Sequence, residues 1–188
     1  MKKFIVSIVL GVCSLISQAQ NVISPSGGGT VSFGSAGGGW QRAVITDQPT
    51  GEVTEAYSLE AEIPGRDVEV TRHPSIMFSC KQSKGFSGVR IRTGSLVASE
   101  HLQTSGRPYR QTHVLTWTDH QKSHIWTVNI AANGSDLLFD KRIMSELMMH
   151  TEFSIRYVSA GGDSITDEYI TKGLAADSLK ADCVRIFK

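Results

Sequence analysis

The sequence predicts a mainly β protein, namely an antiparallel, β-sandwich-like single domain with two short helices and one disulfide bond. Apolar and polar residues alternate with a period of two in several segments, and polar or glycine-containing turns separate these segments. Only two short stretches have a helical period. The chain has 188 residues, the length of one domain. A two-layer sandwich is the simplest arrangement in which many half-buried strands cover their apolar faces.

Residues 1–19 have the pattern of a cleavable bacterial signal peptide. Two lysines at 2–3 precede an apolar run over 4–16, and 17–19 read Ser-Gln-Ala, a small-x-small cleavage site. The apolar run has about thirteen residues, whereas a membrane-spanning helix needs roughly 20. We therefore predict cleavage after Ala19, a periplasmic or secreted mature protein, and no stable membrane span after cleavage.

Residues 20–39 are rich in glycine and serine and are predicted to form a flexible linker. The segment lacks the Gly-Lys-Ser/Thr ending and the preceding strand of a phosphate-binding loop, so nucleotide binding is not expected. Trp40 follows the last glycine and marks the start of ordered packing. The folded domain is accordingly placed at 40–188.

The first strands of this domain are predicted from their alternation. In 54–63, apolar residues alternate with Ser58, Glu60 and Glu62, which leaves one face buried and one face acidic and hydrated. The segments 76–80 and 89–92 alternate in the same way around a polar turn. We predict that they form an antiparallel hairpin.

A second hairpin is predicted from 109–118 and 124–130, with the polar loop 119–123 between them. Trp117 and Trp126 are expected to meet across this hairpin.

The period changes to that of a helix over 140–150, where three apolar residues fall on one stripe: Ile143, Leu147 and Met148. Strands are predicted again around 153–157 and 165–170, separated by a Gly-Gly-Asp turn. A second short helix is predicted around 174–179, where Leu174, Ser178 and Leu179 share a face.

The cysteine count predicts one disulfide bond. Cys13 is removed with the signal peptide, which leaves Cys80 and Cys183 in a compartment that permits disulfides. The bond would close a loop of about a hundred residues, and chain-entropy models assign such a loop roughly 4 to 5 kcal/mol. The sequence has no Cys-x-x-Cys spacing, and the mature chain has no third cysteine, so a cysteine metal site is not expected.

Charge excludes one class of partner. The chain has 19 basic and 18 acidic residues, a net charge of +1, and these residues are interspersed. A nucleic-acid-binding protein is expected to gather a basic excess on one face. We therefore expect no nucleic-acid partner.

The best candidate binding residues are Arg90 and Arg92, which alternate outward on one predicted strand. They could contact an anionic polymer or an acidic partner. The competing interpretation is a solvated strand edge, where basic residues discourage aggregation.

Two groups of residues leave an enzymatic alternative open. Glu60 and Glu62 lie on one strand face and could serve acid–base chemistry on a sugar polymer. His113, His120 and His124 lie close together around one predicted hairpin, without a recognised metal-ligand spacing. A solvated strand face and surface histidines explain the same residues, so we predict no catalytic residues, no metal and no cofactor.

Several features between Pro74 and Cys183 together resemble the VasI/TagO-type periplasmic accessory proteins of type VI secretion. They are the sequence Pro-Ser-Ile-Met-Phe-Ser-Cys at 74–80, the strand 89–92, Trp126, the helix around Leu147, and the segment 173–179 before Cys183. The resemblance implies a non-enzymatic envelope protein associated with a secretion machine, with no catalytic residues. A secreted inhibitor of a hydrolase and a cell-wall-active enzyme are the alternatives.

Overall fold

The fold is mainly β, as predicted. A computed structural model describes residues 22–23, 29–62, 64–65, 73–102, 109–119, 121 and 123–173. Within these ranges, twelve strands form one antiparallel sheet and eight residues form one short helix.

The strands follow one another along the chain with these bounds: β1 (Val22–Ile23), β2 (Gly29–Gly37), β3 (Trp40–Asp47), β4 (Val53–Glu60), β5 (Ser75–Lys81), β6 (Gly85–Arg92), β7 (Glu100–Leu102), β8 (Tyr109–Thr118), β9 (His124–Ile130), β10 (Asp136–Phe139), β11 (Glu152–Val158) and β12 (Ser164–Ile170). Their order in the sheet is β1-β2-β3-β4-β5-β6-β10-β9-β8-β11-β12, and β7 pairs with β8. The first six strands therefore form a meander, which β10 joins to the remaining strands.

Strand β2 occupies much of the predicted linker. The pairing of β2 with β3 runs from Gly29 opposite Asp47 to Gly37 opposite Trp40. Val31 is buried in β2, and the following turn has positive φ angles that glycine adopts without strain. The prediction of a flexible linker is therefore wrong for 29–39, because β3 supplies the backbone partners that composition cannot reveal.

Both predicted hairpins are present. Strands β5 and β6 pair from Ser75 opposite Arg92 to Lys81 opposite Gly85, and β8 pairs with β9. The expected contact between the two tryptophans is wrong. Trp126 lies opposite the buried Val114 and shares its face of the sheet. Trp117 points to the opposite face of β8, where it lies beneath the Arg156 guanidinium.

The predicted first helix is confirmed as α1 (Arg142–Met149). It buries an apolar face in the core through Ile143, Met144 and Leu147. The second predicted helix, at 174–179, lies outside the described residues. Among the residues that the structure describes, no helix has the length and apolar character to cross a bilayer.

The first and last parts of the sheet approach each other around one core. Tyr57 on β4 stacks on Phe78 of β5 with ring centroids 4.8 Å apart. Near the other end of the sheet, Phe153 contacts Tyr169 on β12. The segment that follows β4 also approaches β12, because the Glu62 backbone N–H donates to the carbonyl of Glu168 at 2.9 Å.

Candidate functional site

A cleft of about 280 Å³ opens where the ends of three segments meet. These are the β2–β3 turn, the end of β4 and the end of β12. We call it the acidic cleft; its lining includes Gly38, Gln41, Ser58, Glu60, Glu62 and Ile170.

Strand periodicity positions Glu60, whereas Glu62 lies two residues beyond the end of β4. On β4, Tyr57 and Leu59 point into the core, so Ser58 and Glu60 point the other way. Ser58 pairs with Gln41 on β3, which places a hydroxyl and an amide side by side in the lining. The sequence correctly placed Glu60 and Glu62 together, and both line the acidic cleft.

Close backbone packing forms the wall opposite β4. A Cβ atom at Gly38 would lie 1.9 Å from the carbonyl oxygen of Lys172, so glycine is required where the β2–β3 turn meets the segment after β12. Gly38 also has a positive φ of 55°. Ile170, 44% exposed, adds an apolar surface to the cleft.

The two carboxylates of the acidic cleft are exposed and, among the described residues, neither is in an ion pair or a side-chain hydrogen bond. Glu55 on the same strand provides a contrast. It is buried and accepts hydrogen bonds from Arg42 at 2.9 Å and from the Tyr57 hydroxyl at 2.7 Å. The charges of Glu60 and Glu62 are therefore available to a ligand, whereas that of Glu55 stabilises the fold.

The acidic cleft combines two carboxylates, an amide, a hydroxyl and an apolar side chain. Carboxylates accept charge-assisted hydrogen bonds from ammonium and guanidinium groups. The amide and hydroxyl can also bind a hydroxyl-rich ligand. A cationic or polyhydroxylated group is thus the chemistry that fits this lining.

Arg90 and Arg92 are placed against an internal carboxylate. Asp136 on β10 is 3.3 Å from Arg90 Nη1 and 3.6 Å from Arg92 Nε, and its side chain is 1% exposed. Part of the charge of the predicted binding surface is therefore compensated within the protein. Sequence reasoning missed Asp136 because its pairing opposite Arg92 depends on a neighbouring strand about 44 positions away.

His113 and His124, two of the three predicted histidines, do not converge. His113 lies opposite Thr127, whereas His124 lies opposite the buried Thr116. The two histidines therefore project from opposite faces of the β8–β9 pair. His120 lies outside the described residues. No group of three or more His, Cys, Asp or Glu side chains in the described ranges is arranged to hold a metal ion.

A histidine–carboxylate pair that the sequence did not indicate lies between the end of α1 and the end of β8. His150 Nδ1 is 2.8 Å from Asp119 Oδ2, and Asp119 Oδ1 accepts hydrogen bonds from the Thr151 hydroxyl and from two backbone N–H groups. The Thr151 and His150 hydrogen bonds hold the pKa of Asp119 well below its usual range. Asp119 has a positive φ of 44°. Its hydrogen bonds join the β8–β9 turn to the start of β11. No residue spacing in the sequence indicates this pair.

Cys80 is buried on β5 and pairs with Glu55 across the sheet. Its predicted partner, Cys183, lies outside the described residues, so the disulfide bond stays a prediction.

Comparisons with protein-family models, with curated proteins and with solved structures found no match. The resemblance to VasI/TagO-type accessory proteins therefore stays a prediction as well.

Proposed function

We propose that the protein is an exported, non-enzymatic accessory or binding protein of the bacterial envelope. Its acidic cleft receives a positively charged group of an envelope protein, a secretion-system protein or the cell wall. The observation that carries this proposal is the pair of exposed carboxylates, Glu60 and Glu62, without a partner among the described residues at the rim of one cleft.

The energetics favour a specific but salt-sensitive contact. One exposed ion pair contributes at most about 1 kcal/mol, and salt screens it. Two carboxylates beside an amide and a hydroxyl can engage one cation at several points, which adds geometric selectivity. We expect binding to weaken as ionic strength rises.

The proposal includes export and the finer features of the fold. The signal-peptide pattern supports cleavage after Ala19 and a periplasmic or secreted location. Such a location favours a Cys80–Cys183 disulfide bond. A sandwich-like closure is supported by contacts between residues after β4 and strand β12. Association with type VI secretion rests on the resemblance given above.

A pull-down from envelope extract tests the binding function. The mature protein is compared with Glu60→Gln and Glu62→Gln. Asp163→Asn is the matched control, because it removes an exposed carboxylate in the turn at the far end of β12. We expect the two cleft variants to lose partner retention at low salt and the control to keep it. Equal retention by all four proteins contradicts the proposal.

A cell-wall-active enzyme is the second candidate, favoured by the same shared position of Glu60 and Glu62. Two carboxylates on one cleft are the groups that glycoside hydrolysis requires. Incubation of the purified protein with peptidoglycan separates the candidates. Soluble fragments that disappear with Glu60→Gln support the enzyme, whereas intact peptidoglycan supports a binding protein.

A further inference from the structure

A short segment after β4 lies along β12, and we call Glu62, Pro64 and Gly65 the strap. The Glu62 N–H donates to the Glu168 carbonyl at 2.9 Å, and the Gly65 N–H donates to Asp167 Oδ1 at 2.7 Å. The strap therefore carries one carboxylate of the acidic cleft and is attached to the last strand of the sheet.

Gly65 lies too close to β12 for any side chain. A Cβ atom there would lie 2.2 Å from Ile165 Cγ2 and 2.7 Å from the Thr166 carbonyl oxygen. The absence of a side chain lets the Gly65 N–H reach the buried Asp167 carboxylate.

Asp167 is an unusual anchor because it is fully buried. Its Oδ2 atom has no hydrogen-bond partner among the described residues, and the same is true of the Tyr169 hydroxyl. Desolvation raises the pKa of Asp167 to about 6, although the Gly65 N–H and the Tyr157 hydroxyl both act to lower it. A buried carboxylate without a cationic partner is costly to the fold. Its hydrogen bond to the strap therefore suggests a role other than stabilising the core.

We propose that Asp167 is a positioning residue for the acidic cleft, which holds Gly65 and thereby fixes Glu62 at the rim. The part that concerns ligand binding rests on the proposed function of the cleft. The anchoring of the strap does not, and it can be measured without a ligand.

Two substitutions separate anchoring from stability. Asp167→Asn keeps an acceptor oxygen for the Gly65 N–H, whereas Asp167→Leu removes the acceptor together with the buried charge. By amide hydrogen exchange, we expect the Gly65 N–H of Asp167→Leu to exchange about tenfold faster than in the wild type, the effect of losing one hydrogen bond. Asp167→Asn should stay near the wild-type rate. Unchanged exchange in folded Asp167→Leu overturns the proposal.

A glycine pair provides an independent check should Asp167→Leu fail to fold. Gly65→Ala displaces the strap while leaving Asp167 in place, and we expect it to speed exchange at the Glu62 N–H. Gly34→Ala is the matched control, since nothing lies within 4 Å of its added Cβ. Equal exchange at Glu62 in both variants overturns the anchoring role.

The binding arm uses a fluorescent tetralysine peptide as a defined cationic probe. We expect Asp167→Leu to weaken binding of the peptide about as much as Glu62→Gln does. The affinity of Asp167→Asn should stay within about twofold of the wild-type value. In a Glu62→Gln background, Asp167→Leu should cause no further loss, because the two changes remove one interaction. A full additional loss overturns the positioning role. If exchange responds as expected but the wild type binds no peptide, the anchor is upheld and the proposed ligand chemistry of the cleft is wrong.

Discussion

The indole Nε1 of Trp40 donates a hydrogen bond to the backbone carbonyl of Thr171 at 3.1 Å, across 131 positions of the chain. Trp40 begins β3, and Thr171 directly follows β12, so this bond joins the early meander to the last strand. The acidic cleft lies beside the same junction, between Gly38 and Ile170. The closure of the fold and the shape of the cleft thus depend on the same contacts.

Replacement of Trp40 by Phe keeps an aromatic ring in the core but removes the indole N–H. The Thr171 carbonyl loses its donor in a buried environment, and we expect the free energy of unfolding to fall by about 1 to 3 kcal/mol. Urea denaturation measures this change. Trp117→Phe is the control, because Trp117 packs outside the core under Arg156. An equal loss in both variants would contradict the importance of the Trp40–Thr171 bond.

Asp167 makes stability depend on pH in a defined direction. Burial raises its pKa to about 6, so the folded state binds its proton more tightly than the unfolded state does. The cost of burying the ionised carboxylate is absent below about pH 4 and grows as pH rises through about 6, so the free energy of unfolding falls by up to about 3 kcal/mol over this range. Asp167→Asn cannot titrate, so its stability relative to the wild type should increase between pH 4 and pH 7. Thermal or urea denaturation across this range measures the difference, and a constant difference would be inconsistent with a raised pKa.

Asp119 should act in the opposite direction. Hydrogen bonds from Thr151, His150 and the Glu152 N–H lower its pKa, so its contribution is present above the unfolded-state pKa of about 3.9 and is lost as pH falls through the folded-state value. We expect Asp119→Asn to be less stable than the wild type at pH 7 and to approach it under acid conditions. Acid denaturation of the two proteins provides the measurement. A gap that widens toward low pH would refute the assignment.

Asp136 lies between Arg90 and Arg92 and is almost completely buried. Asp136→Asn removes the compensating charge, and we expect a loss of about 3 kcal/mol, the low end for a broken buried pair because Arg90 is partly exposed. Arg142→Gln removes an exposed ion pair with Asp140 and a cation–π contact with Trp126, each worth at most about 1 kcal/mol, so its loss of stability should be smaller. Denaturant midpoints compare the two variants. Similar midpoints would show that the buried Asp136 ion pairs contribute no more to stability than the exposed contacts of Arg142.

Local alternation predicted many of the strands but not which strands pair with each other. The hairpin β5–β6 and helix α1 could be predicted because their apolar periods are contained in a few residues. Strand β2 was missed because glycine and serine suggest a linker, while the pairing with β3 decides the conformation. Composition cannot report a backbone partner that forms only in the folded chain.

The candidate site was predictable only along one strand. A period of two placed Glu60 and Glu62 on the same side, whereas Ile170, on the opposite side of the acidic cleft, comes from about 110 positions further along the chain. The contact between His150 and Asp119 was missed for the same reason, since it joins groups 31 positions apart. Such sites depend on topology, which residue spacing alone does not encode.

Site-specific photo-crosslinking in living bacteria tests the central claim most directly. A photoreactive residue at Gln41 reports on the acidic cleft, and one at Thr127, exposed on β9, reports on a distant surface. We expect an adduct with an envelope component from position 41 that disappears when Glu60 and Glu62 are both changed to Gln. An adduct of the same intensity in that double variant, or adducts from position 127 alone, would contradict a binding function of the cleft.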